Sequence, residues 1–265
     1  MQDRPIGVFD SGIGGLTVFH EIIQILPHED VIYLGDTARV PYGTKSAATV
    51  TRYAHQNVRL LLERNVKMVV VACNTASAFA LPELQRKYEI PIVGVIEPGV
   101  KGALKMTRSK RVGVIGTEGT IQSNAYPKAL QNLEPGLWVT SAACPLFVPL
   151  VEEGRWEGEV AEKITREYLH EMMTQKIDTL ILGCTHYPLL KKTLQKVVGE
   201  GVSLIDSAKE TAREAALLLT EKKLMRQENK NPLREFLATD SPERFQRIGN
   251  LFLKGPLKNV HHVEI

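Results

Sequence analysis

The sequence predicts an α/β protein of two pseudo-symmetric domains with mainly parallel sheets and an active site in the cleft between them. Three observations carry that expectation. Short apolar, β-branched runs alternate with longer segments of helical period, the pattern of parallel strands joined by crossover helices. Nearly every run ends in small or polar residues, where doubly wound folds place their chemistry. The runs also recur in the same order in the two halves of the chain, whose 265 residues suffice for about two domains.

The first half offers strands at IGVFDS (6–11), VIYLGDT (31–37), MVVVACN (68–74) and PIVGVI (91–96). The second offers RVGVIGT (111–117), LWVTSAAC (137–144), TLILGCT (179–185) and VSLIDS (202–207). Between them lie helices such as 47–64, which sets Val50, Tyr53, Ala54, Val58, Leu61 and Leu62 on one stripe with polar residues opposite. Residue 6 maps onto 112 and 31 onto 137 at an offset of 106, while 69 maps onto 180 and 92 onto 203 at an offset of 111. The chain therefore reads as a duplicated unit, with about five extra residues between the second and third strands of the later copy. After Ser207 come a helix (209–223), a polar loop (226–232), a strand (234–238), a helix capped by Ser241 with Pro242 at its first position, and a last strand (261–265). This tail has no counterpart within the repeat. Its expected return to the first half makes the domains 1–97 plus 208–265, and 98–207.

Composition narrows the function. Lys and Arg number 33 against 30 Asp and Glu, a net +3, with both signs interspersed. A protein that binds nucleic acid through phosphate neutralisation needs a clustered basic excess, so no nucleic-acid partner is expected. The N-terminus shows no basic segment leading into an apolar leader, and no stretch approaches the roughly 20 apolar residues that span a bilayer. We therefore expect a cytoplasmic protein without a membrane partner. The cysteines are three, Cys73, Cys144 and Cys184, and none has C-x-x-C spacing, which excludes a disulfide framework and a zinc ribbon. In a reducing compartment such thiols are either small buried hydrophobes or working groups.

The repeat separates them. Cys73-Asn74-Thr75 and Cys184-Thr185-His186 follow the third strand of each half, so two thiols face one cleft from equivalent loops, while Cys144 has no partner motif and reads as structural. Inverting a stereocentre needs two acid/base groups flanking a carbon, one poised as thiolate and one as thiol. A thiol with an ordinary pKa of about 8.5 can serve in either state. Asp10-Ser11-Gly12-Ile13-Gly14-Gly15 forms a glycine-rich turn after the first strand. It lacks the third spaced glycine of a dinucleotide fingerprint, Asp36 fits only loosely as a ribose-binding acid, and amides at a helix start also bind carboxylates. Asp10 can accept a proton near a thiol or cap the helix. Thr117 and Thr120 lie at the corresponding turn of the second half. With Ser11, Asn74, Thr75 and Thr185 they supply neutral donors suited to a small zwitterionic or acidic ligand. His186 can hold charge beside Cys184, and Glu152-Glu153 can bring a carboxylate to His186. Tyr42, in Pro41-Tyr42-Gly43, either lines the cleft or staples its loop.

Asp10-Ser11-Gly12, Pro41-Tyr42-Gly43, Ala72-Cys73-Asn74-Thr75, the turn at Gly116-Thr117, and Leu182-Gly183-Cys184-Thr185-His186-Tyr187-Pro188 together resemble the glutamate racemases of the aspartate/glutamate racemase superfamily, over roughly 1–210. The resemblance implies cofactor-independent interconversion of L- and D-glutamate, supplying D-glutamate for peptidoglycan, with no metal or pyridoxal phosphate and a homodimeric assembly. It implies that Cys73 takes the α-proton of the D-substrate and Cys184 that of the L-substrate, assisted by Asp10, Glu152 and His186. Asp10, Ser11, Tyr42, Gly43, Asn74, Thr75, Thr117, Thr120, Thr185 and His186 would contact the substrate.

An amino acid's α-proton is far less acidic than a thiol, so transfer demands preorganised donors and exclusion of water, and closure of the domains over substrate is expected. Three other readings stay open on the residues alone: a racemase for another acidic amino acid such as aspartate, a small-ligand or nucleotide-binding protein with structural cysteines, and a thiol hydrolase built on Cys184 and His186.

Overall fold

Two parallel sheets carry all ten strands found among the described residues, which in this computed structural model are all but 228–230 and 254. The first sheet holds β1 (Ile6–Asp10), β2 (Val31–Gly35), β3 (Met68–Val71) and β4 (Ile92–Gly94). The second holds β5 (Arg111–Gly116), β6 (Trp138–Ala143), β7 (Thr179–Gly183) and β8 (Ser203–Asp206), and the tail supplies β9 (Arg234–Ala238) and β10 (Val260–His262). Strand order is β10-β9-β2-β1-β3-β4 in one sheet and β6-β5-β7-β8 in the other. Every pairing is parallel. The expected α/β class and the repeated strand order are both present.

Residues of β1, β2, β3 and β7 are buried throughout, because helices cover both faces. That is why these strands read as continuous apolar runs rather than alternating ones. The helix Ala47–Glu63 starts at Ser46, whose hydroxyl accepts from the Thr49 N–H, and it buries Val50, Ala54, Val58 and Leu61 on the expected stripe; Tyr53 and Leu62 lie half-buried at its margin.

Register corrects the repeat. Ile6 stands opposite Val31, and its equivalent Val112 opposite Val139, so Val31 corresponds to Val139 rather than to Leu137. Likewise Val69 faces Ile92 while Leu180 faces Leu204, so Ile92 corresponds to Leu204 rather than to Ser203. The additional length of the second copy is therefore spread over all three connections. The outer strands are also shorter than expected. β6 is an edge strand with Trp138 exposed, and an edge has no second partner to enforce a long apolar run.

In the tail, β9 pairs with β2 and β10 with β9. The helix Ala208–Glu221 packs on Leu16–Ile25 and on Ile96–Met106, and Pro242–Leu253 also packs on Leu16–Ile25. Ser241 sits at φ 46°, left-handed rather than in the extended form usual for a cap, although its carbonyl still accepts from the Phe245 N–H. Of the expected loop 226–232, residues 228–230 lie outside the described residues.

Because β1 lies between β2 and β3, and β5 between β6 and β7, the chain reverses direction across each sheet at these central strands, which opens a crevice at their carboxyl ends. Asp10 ends β1, Cys73 follows β3 and Cys184 follows β7, so the topology itself delivers them to that crevice. Among the described residues no helix is long and apolar enough to cross a membrane.

The tail's attachment can be measured. Leu237, the penultimate residue of β9, is fully buried in the core beside Ile32, Leu34 and Leu61. Leu237→Ala should cost about 2–5 kcal/mol in urea denaturation. A loss below about 1 kcal/mol would mean the tail strand is not part of the cooperative core.

Candidate active site

Cys73 leaves β3 and caps the helix Asn74–Lys87 in an extended conformation, its Sγ accepting from the Ala76 N–H at 3.4 Å. A helix N-terminus favours negative charge, but burial outweighs it here. The residue is 5% exposed, and desolvation together with the nearby Asp10 charge pushes the thiol pKa up to about 12, against the Ala76 N–H and the Ser11 hydroxyl.

Cys184, 6% exposed, has a different neighbour. Its Sγ lies 3.9 Å from His186 Nδ1, and His186 Nε2 lies 3.2 Å from Glu152 Oε1. Burial works against an imidazolium, yet the hydrogen bonds and charges of Cys184 and Glu152 prevail and hold His186 up to about 10. Glu152 shows the reverse. Burial raises its pKa, but the His186 contact and Arg244 hold the carboxyl below its ordinary value. Arg244 Nη2 donates to Glu152 Oε2 at 3.2 Å, and the Phe252 ring stands edge-on to His186 with centroids 5.6 Å apart. The C-terminal helix thus reaches the second half's thiol through two residues.

Asp10 sits beneath both loops, wholly buried. Its Oδ2 accepts from the Gly12 N–H at 3.0 Å, and its Oδ1 from the Thr185 hydroxyl at 3.4 Å, so it ties the two halves together. Burial raises its pKa, partly opposed by His186 and the Gly12 and Gly15 amides. Gly14 explains much of the glycine-rich turn. A Cβ there would stand 2.3 Å from Thr185 Oγ1 and 2.4 Å from His186 Nδ1, so the second half approaches where only glycine leaves room.

The two thiols share one small cavity of about 30 Å³. Ser11, Pro41, Tyr42, Gly43, Asn74, Thr75, Thr117, Thr185 and His186 also line it, together with Val40 and Val148. Among the described residues Asn74 Nδ2 is buried without a partner, the signature of a donor waiting for a ligand. Thr120 stands behind the wall, in a hydroxyl triangle with Thr75 (3.1 Å) and Thr117 (3.0 Å) whose third side is 2.9 Å. Gly43 lets the Pro41-Tyr42-Gly43 loop press against that triangle, since a Cβ would stand 2.5 Å from the Thr117 Cβ. The Tyr42 hydroxyl points away from the cavity and donates to Asp36, which also receives Arg39 and Thr239. Asp36 is thereby saturated as a loop anchor. Tyr42 both lines the cleft and staples its loop.

Glu152 lies outside the inner cavity, in a wider mouth of about 360 Å³ shared with Glu118, Glu153, Pro149 and Arg244. Mouth and cavity share the wall Val40, Pro41, Gly43, Thr117 and Val148. Cys144 is wholly buried away from both; burial raises its thiol pKa. Sequence reasoning missed Val40, Val148, Tyr126, Arg244 and Phe252. Of these, only Val40 had a signal, adjacency to the Pro-Tyr-Gly loop. Among the described residues no group of three or more His, Cys, Asp or Glu side chains is placed to hold a metal ion.

Known proteins share this architecture. The Asp/Glu/hydantoin racemase family model matches residues 6–215. A glutamate racemase of Geobacter metallireducens is 54% identical over 265 residues, covering 100% of this chain and 98% of that protein. A glutamate racemase of Bacillus anthracis superposes with a TM-score of 0.96 at 43% identity, covering 100% of this chain and 99% of that one. A Francisella tularensis glutamate racemase in complex with D-glutamate superposes with a TM-score of 0.94 at 42% identity, covering 100% and 98%.

The buried Asp10 has a thermodynamic consequence. Its folded pKa lies above the ordinary 3.8, so ionising it costs stability: the cost is absent below the unfolded value and complete once pH exceeds the folded one. Asp10→Asn should therefore melt higher than the parent protein at neutral pH, with the gap closing as pH falls towards 4. A gap independent of pH in calorimetry would show that the carboxylate's charge is not the cost.

Proposed function

The chain belongs to the Asp/Glu/hydantoin racemase family, and from that premise we propose that it interconverts L-glutamate and D-glutamate by proton transfer between Cys73 and Cys184. The observation that carries the mechanism is the shared cavity, with one thiol from each half of a repeated topology on its wall. The choice of glutamate is supported by full-length relatives of that activity at 45–54% identity.

The residues suggest the order of events. With its pKa near 12, Cys73 rests as a thiol; ionising it at pH 7.5 would cost about 6 kcal/mol. His186, whose Nδ1 lies 3.9 Å from the Cys184 sulfur, is placed to stabilise negative charge there, so we assign Cys184 as the base towards L-glutamate. For L-glutamate, the Cα–H bond breaks as an S–H bond forms on Cys184. The electron pair delocalises into the α-carboxylate, and the Cys73 S–H then breaks to form Cα–H on the opposite face. The reverse reaction begins with the protons exchanged. Asn74, Thr75, Thr117 and Thr185, with Ser11 and the backbone at Tyr42 and Gly43, hold the substrate, and Thr120 holds Thr75 and Thr117. Asp10 is close enough to oppose excess negative charge at Cys73 in one protonation state and to accept a proton in another. No group beyond the chain enters these steps.

Both thiols are nearly sealed from solvent, so glutamate enters by parting the wall between mouth and cavity. We extend the proposal, on the resemblance of the site motifs, to provision of D-glutamate for peptidoglycan in the cytoplasm by a homodimer whose chain divides into 1–97 plus 208–265 and 98–207.

Racemisation in deuterated water tests the mechanism. The protein should place deuterium at Cα of glutamate and abolish its optical activity, with aspartate as the control substrate. Cys73→Ala and Cys184→Ala should each lower racemisation by about 10²–10⁴-fold or more, the size expected for removing one acid/base group. Either variant racemising at the parental rate sinks the two-base reading. The rate should fall as His186 loses its proton near pH 10. His186→Asn should remove that descending limb.

A further inference from the structure

The orphaned amide of Asn74 points to a residue that no motif marks. Asn74 begins the helix after Cys73, is 4% exposed, and lines the cavity. Its two ends are treated differently. Oδ1 accepts a 2.7 Å hydrogen bond from the Tyr126 hydroxyl, while Nδ2 has no partner among the described residues. Leaving a buried N–H unpaired is destabilising, and a fold tolerates it where a ligand supplies the missing acceptor.

Tyr126 arrives from the other half of the molecule, on the helix Ala125–Leu133. Its ring is 1% exposed and is wedged against Gly183, where a Cβ would stand 3.1 Å from the ring, and against Gly99. Burial raises the phenol's pKa, so it stays protonated and acts as a donor. A side-chain amide can turn over and exchange its oxygen and nitrogen at little steric cost, so something must decide which end faces the cavity. The phenol behind Asn74 donates to Oδ1, and that hydrogen bond favours the orientation that keeps the oxygen there and the N–H groups on the other side.

We propose that Tyr126 is a positioning residue that locks the Asn74 amide with its N–H groups towards the cavity, so that the site presents a donor to a substrate carboxylate rather than an acceptor. The inference rests on the glutamate reading only for the identity of that carboxylate. It also gives the second half a direct hand in shaping a binding group of the first. Without the phenol, the amide would divide its time between two orientations, one of which turns an oxygen towards an anion.

Tyr126→Phe keeps the ring and removes only the O–H. It should raise KM for both enantiomers roughly tenfold, the worth of a hydrogen bond to a charged group, with kcat changed much less. A glutamate binding titration should show the same shift in Kd without needing turnover. In an Asn74→Ala background the Tyr126→Phe change should add nothing further to KM. A role confined to packing would instead lower the melting temperature at unchanged KM, and that result overturns the proposal, as do KM effects of the two substitutions that multiply. Failure of the glutamate reading has a separate signature: parental protein that neither binds nor racemises glutamate.

Discussion

Removal of two sulfurs from water is the constraint on which the rest of the site depends. Water would stabilise a thiolate, but it would also solvate the substrate's carboxylate and weaken every donor aimed at it. Both cysteines are therefore buried at strand ends, and burial, with the Asp10 charge adding to it, pushes Cys73 far above neutral pH. What remains for the surrounding residues is to restore, selectively, the charge stabilisation that water would have given indiscriminately. The Ala76 N–H and Ser11 do this for Cys73, and a buried imidazole does it for Cys184.

The scaffold is symmetric and the charges are not. The register makes Asp10 equivalent to Gly116 and Thr75 equivalent to His186. One half thus contributes an acid where the other has no side chain, and the other contributes a base where the first has a hydroxyl. The two unmatched groups interact, His186 lowering the pKa of Asp10 across the interface, so a pair of like domains becomes a polarised site. The tail deepens the difference by bringing Arg244 to Glu152 and Phe252 to His186.

Much of this was legible in the sequence, and the division between what was and was not is physical. The succession of strands along the chain, the cysteine pair and the candidate lining residues follow from local rules: apolar runs, strand-end chemistry and matched spacing. Register did not follow, because equal spacing of runs does not fix which residues pair, and Val31 proved equivalent to Val139. The Tyr126–Asn74 contact joins residues 52 apart, and Arg244–Glu152 joins residues 92 apart. Neither residue type carries a spacing rule, so only the folded chain could bring them together. Asp36 shows the opposite failure: an acid in a suggestive place whose partners Arg39, Tyr42 and Thr239 consume it.

Polarisation of the site meets a thermodynamic limit. The enantiomers of an amino acid have equal free energy, so a racemase must have equal kcat/KM in both directions, however different its two bases are. A thiol resting near pKa 12 beside a partner supported by imidazolium therefore cannot favour one product at equilibrium. Their difference can appear only in how each direction divides its barrier between binding and turnover, and in which protonation state the free protein holds. Neutral donors such as Asn74 and the threonines suit that limit: in the proposed mechanism they would hold both enantiomers' carboxylates without adding a fixed charge that would prefer one thiolate. What asymmetry there is lies in the buried acid and base, Asp10 and His186, whose opposite charges act on each other across the site.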